Sequence, residues 1–199
     1  MRDPEVAYWN NNFKMMKENL VADNIWKRQQ ILIKLLAHDF IDKKVLEIGV
    51  GFGSIAFILK RLFLDKIRYI GTDVSTTACN FLHHNCGVEM VHADITNLPR
   101  IQPDGFDFII ALDVLEHINP EDRELGYNGM HDTLSQNGKV LINNPLDESG
   151  HDNNFDYGLD DNGIKDMCLN RFEIDIKEPY SVMANKTLRN YEWIEMRKI

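Results

Sequence analysis

The chain has 199 residues, of which 44% are hydrophobic and 27% are charged, and this composition is typical of a globular protein. Its net charge of −9 argues against sequence-independent binding to nucleic acid, which requires a basic face, but leaves a local patch for a tRNA or protein substrate possible. The three cysteines form no CxxC pair, so we expect neither a disulfide framework nor a metal site. No apolar run approaches the roughly 20 residues of a membrane span. We therefore expect a cytoplasmic protein without a membrane anchor.

Helical and strand-like segments alternate from about residue 25 to residue 145. Apolar residues at helical spacing predict a first helix between Ile25 and Ile41. Later segments with the same spacing are SIAFILKRLFL, TTACNFLHHN and EDRELGYNGMHDTLSQNG. We expect Ser75 or Thr76 to cap the second of these segments and Gly138 to end the third. Five short apolar segments between the helices predict strands, and they are KVLEIGV, RYIGTDVS, VEMVHADI, FDFIIALDV and KVLINN.

The last quarter of the chain has a different pattern. A polar, acidic stretch follows Pro145, and a short helix is expected between Gly158 and Cys168. The segments RFEIDIKE and YEWIEMRKI then alternate apolar and polar residues, which indicates strands with one exposed face. Because no helix separates these two strands, we expect them to pair antiparallel at one edge of the sheet.

Strands that alternate with helices form parallel sheets with helices on both faces. We therefore predict an α/β, Rossmann-like, doubly wound, seven-stranded sheet, mostly parallel with an antiparallel C-terminal edge strand. We find no internal repeat, low-complexity tract or linker that would divide the chain. A single domain over residues 1–199 is therefore expected.

The glycines in the stretch VLEIGVGFGS predict a ligand-binding turn between the first strand and the following helix. Glycine at such a turn lets the backbone approach a ligand closely. Gly49 and Gly51 fit the dinucleotide fingerprint GxGxxG, but Ser54 stands at its third glycine position and Gly53 comes one place early. These residues alone leave three alternatives open, namely a dinucleotide site, another nucleoside site, or a tight turn without a ligand.

The segments VLEIGVGFGS, YIGTDVS, HADI and FDFIIALDVLEHI, in this order and spacing, resemble the class I methyltransferases that use S-adenosylmethionine. The resemblance covers Lys44 to Pro145 and extends to the C-terminus through the final strand pair. It is closest to the branch that acts on small molecules or side chains, in which LEH follows the fourth strand. It implies an enzyme that transfers a methyl group from S-adenosyl-L-methionine to an O or N atom of a small-molecule acceptor.

The resemblance also implies a cofactor site. Glu47 corresponds to the acidic residue of the first motif, near the positive end of the cofactor, and Asp73 would accept hydrogen bonds from both ribose hydroxyls. Asp94 would accept a hydrogen bond from the adenine amino group. The residues implied to bind cofactor are Glu47, Gly49, Gly51, Gly53, Asp73, Val74, Asp94, Ile95 and Asp113. Each acidic residue has a simpler alternative as a buried, helix-starting or turn carboxylate bonded to backbone.

Two residues near the end of the fourth strand are candidates for catalysis. Asp113 lies where the methyl donor would meet the acceptor, and it could steer an amine, accept a proton or contact the cofactor. His117 follows four residues later and could act as a general base. Methyl transfer depends mainly on in-line alignment, so a dedicated base is not required.

The resemblance divides the domain into an N-terminal helical lid at residues 1–42, a cofactor-binding core at 43–145, and a substrate-side loop with edge strands at 146–199. The lid and the loop at residues 145–161 are expected to determine acceptor specificity. The alternatives to a small-molecule methyltransferase are methylation of a protein or tRNA side chain, and a cofactor-binding module without activity. The sequence leaves the oligomeric state undetermined.

Overall fold

A computed structural model describes residues 3–19, 25–98, 105–146, 155–184 and 187–199. Residues 147–154 of the predicted acceptor-specificity loop lie outside the described residues. The six α-helices found in the described residues are α1 (Asp3–Asn19), α2 (Ile25–Leu35), α3 (Ser54–Phe63), α4 (Thr76–Cys86), α5 (Arg123–Thr133) and α6 (Asp161–Cys168). The strands are β1 (Lys43–Ile48), β2 (Ile67–Asp73), β3 (Glu89–His92), β4 (Phe106–Leu112), β5 (Leu134–Pro145), β6 (Phe172–Ala184) and β7 (Thr187–Lys198).

The seven strands form one sheet in the order β3-β2-β1-β4-β5-β7-β6. The first five strands pair parallel, and β7 pairs antiparallel with both β5 and β6. The predicted fold class is therefore confirmed. The antiparallel strand is the C-terminal strand β7, which lies one place in from the edge, while β6 forms the edge itself. Strand order reverses between β1 and β4, and ligands bind at this kind of switch point.

Side chains of successive strand residues point to opposite faces of the sheet, so each face has its own hydrophobic core. Leu46 and Ile48 of β1 belong to the core beneath α5 and α6. Val45 belongs to the core beneath α2, α3 and α4, which also contains Trp193. Glu47 lies two residues after Val45 in the same strand, so its side chain points to the same face of the sheet, the face covered by α2 and α3.

The helix predicted to end at Gly138 ends five residues earlier, at Thr133. Leu134 adopts an extended conformation, pairs with Phe106 of β4 and is buried in the core below α5, with 3% of its surface exposed. The burial of this one apolar side chain and its strand pairing end the helix before the glycine that would otherwise have stopped it. Ser75 caps α4, and its side chain accepts a hydrogen bond from the Ala78 N–H, as predicted.

Candidate cofactor and acceptor site

The turn between β1 and α3 is held against the end of β2 by backbone hydrogen bonds. The N–H groups of Gly49 and Val50 both donate to the Thr72 carbonyl, at 2.8 and 3.1 Å. All three glycines of the turn have positive φ angles, which are +66° at Gly49, +53° at Gly51 and +72° at Gly53. Side chains rarely adopt this conformation, so the turn requires glycine at these positions.

The three glycines have different surroundings. A Cβ atom at Gly49 would lie 2.5 Å from Cγ2 of Val114, and one at Gly53 would lie 2.4 Å from Cδ2 of Leu82. A Cβ atom at Gly51 would meet no atom closer than the Gly49 carbonyl oxygen at 4.0 Å. Gly49 and Gly53 therefore pack against the protein itself, whereas Gly51 faces open space.

Asp73 joins the end of β2 to the glycine turn. Its Oδ2 atom accepts a hydrogen bond from the Gly51 N–H at 2.8 Å, and its Oδ1 atom accepts one from the Ser75 N–H at 2.8 Å. Burial raises the pKa of this carboxyl above its ordinary value, and the two backbone donors act in the opposite direction. A carboxylate has about four acceptor positions, so these backbone donors leave acceptor capacity for a further donor.

Asp94 follows β3, the strand beside β2. Its Oδ1 atom accepts a hydrogen bond from the Thr96 N–H at 2.9 Å and so begins the short 3₁₀ helix Ile95–Asn97. The Ala93 N–H donates to the Asp73 carbonyl, so this segment runs beside the end of β2. Val74 is half-buried, and Ile95 is buried against Gly126 of α5. This placement gives Ile95 a packing role; its predicted contact with adenine stays a prediction.

Glu47 is buried, and its Oε2 atom accepts a hydrogen bond from the Tyr69 hydroxyl. Burial raises the pKa of Glu47 to about 8, so the folded protein holds this carboxyl mainly in its neutral form at pH 7. The contacts that orient the glycine turn come instead from Thr72 and Asp73. The predicted place of Glu47 near the cofactor's positive end stays a prediction, and its visible role is in the sheet.

Asp113 directly follows β4 and has a φ of +54°, a conformation that is uncommon outside glycine and often found at functional sites. Asn143 of β5 holds it twice: the Asp113 N–H donates to the Asn143 carbonyl at 3.0 Å, and the Asn143 Nδ2 donates to Oδ1 at 2.6 Å. The Lys27 ammonium forms an ion pair with Oδ2. The Asp113 side chain nevertheless keeps 31% of its surface exposed.

Lys27, Tyr180 and Tyr191 surround Asp113, and none of the three was predicted from the sequence. The Lys27 Nζ lies 4.4 Å from the centroid of the Tyr191 ring. The Tyr180 ring stacks on the Tyr191 ring at 5.6 Å, and its hydroxyl donates to Oδ1 of Asn143. Lys27 lies 86 residues before Asp113, and a lone lysine in an amphipathic helix is indistinguishable in sequence from solvated surface. Aromatic residues in alternating strands likewise indicate only packing.

Glu116 and His117 lie in a short 3₁₀ helix just beyond Asp113. Glu116 is 1% exposed, and neither of its carboxyl oxygens accepts a hydrogen bond from another described residue. Burial, followed by the charge of Asp113, raises its pKa well above the ordinary value. The His117 Nε2 lies 3.7 Å from its Oε1, and the His117 Nδ1 lies 3.0 Å from the Phe155 carbonyl oxygen. These contacts turn the imidazole toward the protein interior.

Helix α1 packs across the carboxyl edge of the sheet and contacts residues near the ends of β1, β2 and β4. Oδ1 of Asn10 accepts hydrogen bonds at the start of α4, including one from the Ser75 hydroxyl at 2.9 Å. Phe13 stacks at 4.8 Å on Phe52, which belongs to the glycine turn. Trp9 packs against the His117 ring at 4.9 Å. The helix therefore contacts the glycine turn, the start of α4 and the segment after Asp113.

Comparisons with known proteins agree with this arrangement. Residues 45–138 match the family described as a methyltransferase domain. A curated relative, an uncharacterized methyltransferase of Staphylococcus carnosus (strain TM300), is 29% identical over 107 residues, which are 53% of this chain and 49% of the relative. The chain thus spans about half the length of this curated relative.

Solved structures share the fold at low sequence identity. The N-methyltransferase NodS from Bradyrhizobium japonicum WM9, in complex with S-adenosyl-L-homocysteine, has a TM-score of 0.67 at 15% identity, covering 95% of this chain and 99% of its own. The [4+2]-cyclase SpnF has a TM-score of 0.64 at 16% identity, covering 78% of this chain and 74% of its own. These similarities concern the fold, which serves more than one chemistry.

The sheet order, the reversed β7 and the glycine turn joined to Asp73 define the Rossmann-like fold of class I methyltransferases. With the methyltransferase-domain match over residues 45–138, the resemblance to class I S-adenosylmethionine-dependent methyltransferases is confirmed. Among the described residues, no group of three His, Cys, Asp or Glu side chains could hold a metal ion. Over the same residues, no helix is long and apolar enough to cross a membrane.

Proposed function

We propose that this protein binds S-adenosylmethionine at the carboxyl ends of β1, β2 and β3 and transfers its methyl group to a small-molecule acceptor beside Asp113. The observation that carries the proposal is the junction of Gly51 and Asp73. There a half-buried turn of backbone, with open space beside Gly51, and a buried carboxylate meet at the switch point of the sheet.

The residues at this junction fit a nucleoside without a pyrophosphate. Asp73 keeps acceptor capacity for ribose hydroxyls beyond its backbone donors, and Gly51 leaves space beside it. The Gly51 N–H, which would be a phosphate donor in a dinucleotide site, is already bonded to the Asp73 carboxylate. A carboxylate at the end of the second strand also serves dinucleotide sites, so the preference for adenosylmethionine rests on the third position of the dinucleotide fingerprint, where Ser54 replaces glycine.

S-adenosylmethionine, when bound, supplies a methyl group on a positively charged sulfur. The chain's own residues hold and align the reactants, with Asp73 at the ribose, Asp94 at the adenine amino group and Val74 beside the ring. Asp113 then contacts the acceptor from the end of β4, the strand next to β1. Alignment of this kind supplies most of what a methyl transfer needs.

Asp113 is a better candidate than His117 for direct contact with the acceptor. Its carboxylate is partly exposed, whereas both nitrogens of His117 face protein atoms, the Phe155 carbonyl and the Glu116 carboxyl. We assign His117 to positioning the segment around Phe155 under α1. General-base catalysis by His117 would require this ring to leave both neighbours.

The test is transfer of a labelled methyl group from S-adenosylmethionine to a cell extract that has been separated into small molecules and macromolecules. We expect label in the small-molecule fraction, and much less label with Asp113→Asn, which keeps the side-chain shape but removes the charge. Label in protein or tRNA would support side-chain methylation instead. Cofactor binding without any transfer would indicate a non-catalytic module.

A further inference from the structure

We propose that Asp113, Glu116, Tyr180 and Tyr191 form a binding site for an organic ammonium group of the acceptor, and that the Lys27 ammonium occupies this site in the structure. The inference rests on the proposed function only in naming the bound ammonium compound as the methyl acceptor. The existence of a cation-binding site is a separate claim. It names a chemical class of substrate, which is a small molecule that carries a protonated amine.

Lys27 shows what the site binds. Its side chain is 11% exposed, and its ammonium contacts one carboxylate and one aromatic face, those of Asp113 and Tyr191. A cation over an aromatic ring and beside a carboxylate is the usual environment of a bound organic ammonium ion. Burial is the largest single influence on the pKa of Lys27 and lowers it. The charges of Asp113, Tyr191 and Glu116 and the hydrogen bond to Asp113 together outweigh burial, so the pKa is raised. The site therefore stabilises the protonated, charged form of an amine.

The walls of the site contain more acceptor groups than Lys27 uses. Glu116 is buried nearby, close enough to Asp113 and Lys27 for their charges to shift its pKa, and its oxygens accept no hydrogen bond from another described residue. Tyr180 stacks on Tyr191 and extends the aromatic surface. A buried carboxyl without hydrogen bonds is costly, and a ligand with several N–H donors would satisfy it.

Lys27 is also poorly matched to its own helix. It lies in the first turn of α2, which contains no acidic residue, and the positive end of the helix dipole disfavours a cation there. Its interactions with Asp113 and Tyr191 oppose this local cost. A ligand that supplies its own ammonium can replace those interactions, and the partly exposed Asp113 carboxylate gives it a point of entry.

A neutral or anionic acceptor suits the site less well. Replacing the Lys27 ammonium with a neutral group would leave the Asp113 charge without a cation, and an anion would add repulsion. The site is therefore expected to bind cationic ligands more tightly than neutral or anionic ligands of similar shape.

The test is calorimetric titration with n-butylammonium chloride, using 1-butanol as the neutral probe. Lys27→Ala removes the resident ammonium and should bind n-butylammonium roughly tenfold more tightly than the wild-type protein does, with no such gain for 1-butanol. Lys34→Ala is the matched control, because Lys34 lies on the same helix, pairs with Glu178 and lies near the Tyr180 and Trp193 rings. It should not change the affinity for either probe.

Equal affinity of Lys27→Ala and wild type for n-butylammonium would overturn the inference, as would an equal gain for 1-butanol. If Lys27→Ala does not fold, Lys27→Met keeps most of the side-chain volume and is titrated with methylammonium, with the same two outcomes. Titration with S-adenosylmethionine in the same samples separates the claims. Cation binding without cofactor binding would contradict only the proposed function, and cofactor binding without the cation gain would contradict only this inference.

Discussion

Asp73 connects three parts of the site through a single carboxylate, since it accepts hydrogen bonds from Gly51 and Ser75 and keeps positions for a ligand. We predict that Asp73→Ala weakens S-adenosylmethionine binding by roughly 1.5–3 kcal/mol, the scale of hydrogen bonds to a charged group. It should also lower the free energy of unfolding by about 1–3 kcal/mol, because two backbone donors lose their acceptor.

Asp107→Ala is the matched control for Asp73→Ala. The Oδ2 atom of Asp107 accepts a hydrogen bond from the Lys44 N–H at 2.8 Å, but at the amino end of the sheet. Calorimetry and urea denaturation of both variants should show a loss of stability in each and a loss of cofactor affinity only for Asp73→Ala. Unchanged cofactor affinity in Asp73→Ala would remove this residue from the site.

Glu47 predicts a pH dependence of stability. Its pKa is about 8 in the folded protein, above the ordinary value of 4.5, so between these pH values the unfolded chain has released a proton that the folded protein retains. The stability contributed by this group is complete below pH 4.5 and is lost as pH rises toward 8. The slope approaches about 1.4 kcal/mol per pH unit for one proton.

Glu47→Gln keeps an acceptor for the Tyr69 hydroxyl but does not titrate. Urea denaturation from about pH 5 to about pH 8 should therefore show a smaller decline for the variant than for the wild-type protein. Glu116, whose pKa is also raised, remains in both proteins. Asp73 remains as well, and its charge contributes to the raised pKa of Glu47, so the difference between the profiles reports Glu47 together with this interaction. Parallel pH profiles for the two proteins would show that Glu47 is ionised in the fold.

At the scale of elements, Gly51 of the glycine turn can be compared with Gly87, which ends α4 in the same left-handed conformation. Gly51 has a φ of +53° and open space around it, and Gly87, the C-cap of α4, has a φ of +61° and no atom within 4 Å of the point where a Cβ would lie. Alanine at either position costs about 1 kcal/mol of backbone strain. We predict that only Gly51→Ala also loses S-adenosylmethionine affinity, since its methyl group enters the cofactor's space. Equal affinities of the two variants in calorimetry would place the cofactor elsewhere.

Helix α1 contacts the cofactor side of the site through Asn10 and Phe13. If the helix covers the bound cofactor, weaker docking should mainly raise the rate of cofactor release. We predict that Asn10→Ala releases S-adenosylhomocysteine several-fold faster in stopped-flow fluorescence. Asn85→Ala, which removes an exposed hydrogen bond within α4, is the control and should not alter release. Identical release rates in the two variants would argue against a lid.

Sequence patterns were sufficient to predict the features that depend only on residues close together in the chain. The glycine turn and the acidic residues Asp73, Asp94 and Asp113 could be placed because each lies at the end of a predicted strand or just beyond it. The end of α5 at Thr133 could not, since it depends on the burial of Leu134 against residues distant in sequence. The cluster around Asp113 also escaped prediction, because α2, β6 and β7 bring its members together only in the folded chain.

At the scale of the whole molecule, the sheet divides the site into two halves. The glycine turn after β1, Asp73 at the end of β2 and Asp94 beyond β3 lie on one side of the switch point. Asp113 just after β4, Asn143 of β5, and Tyr180 and Tyr191 of β6 and β7 lie on the other side. A cofactor in the first half and an acceptor in the second would meet beside β1 and β4. This division explains how one fold can keep its cofactor half and vary its acceptor half.

The central claim is that the first half of this site binds S-adenosylmethionine. The most direct measurement is calorimetric titration of the full chain with S-adenosylmethionine, S-adenosylhomocysteine and NAD under identical conditions. We predict a dissociation constant on the order of micromolar for the two adenosyl ligands, a matching rise in melting temperature, and no binding of NAD. Binding of NAD without binding of either adenosyl ligand would contradict the account.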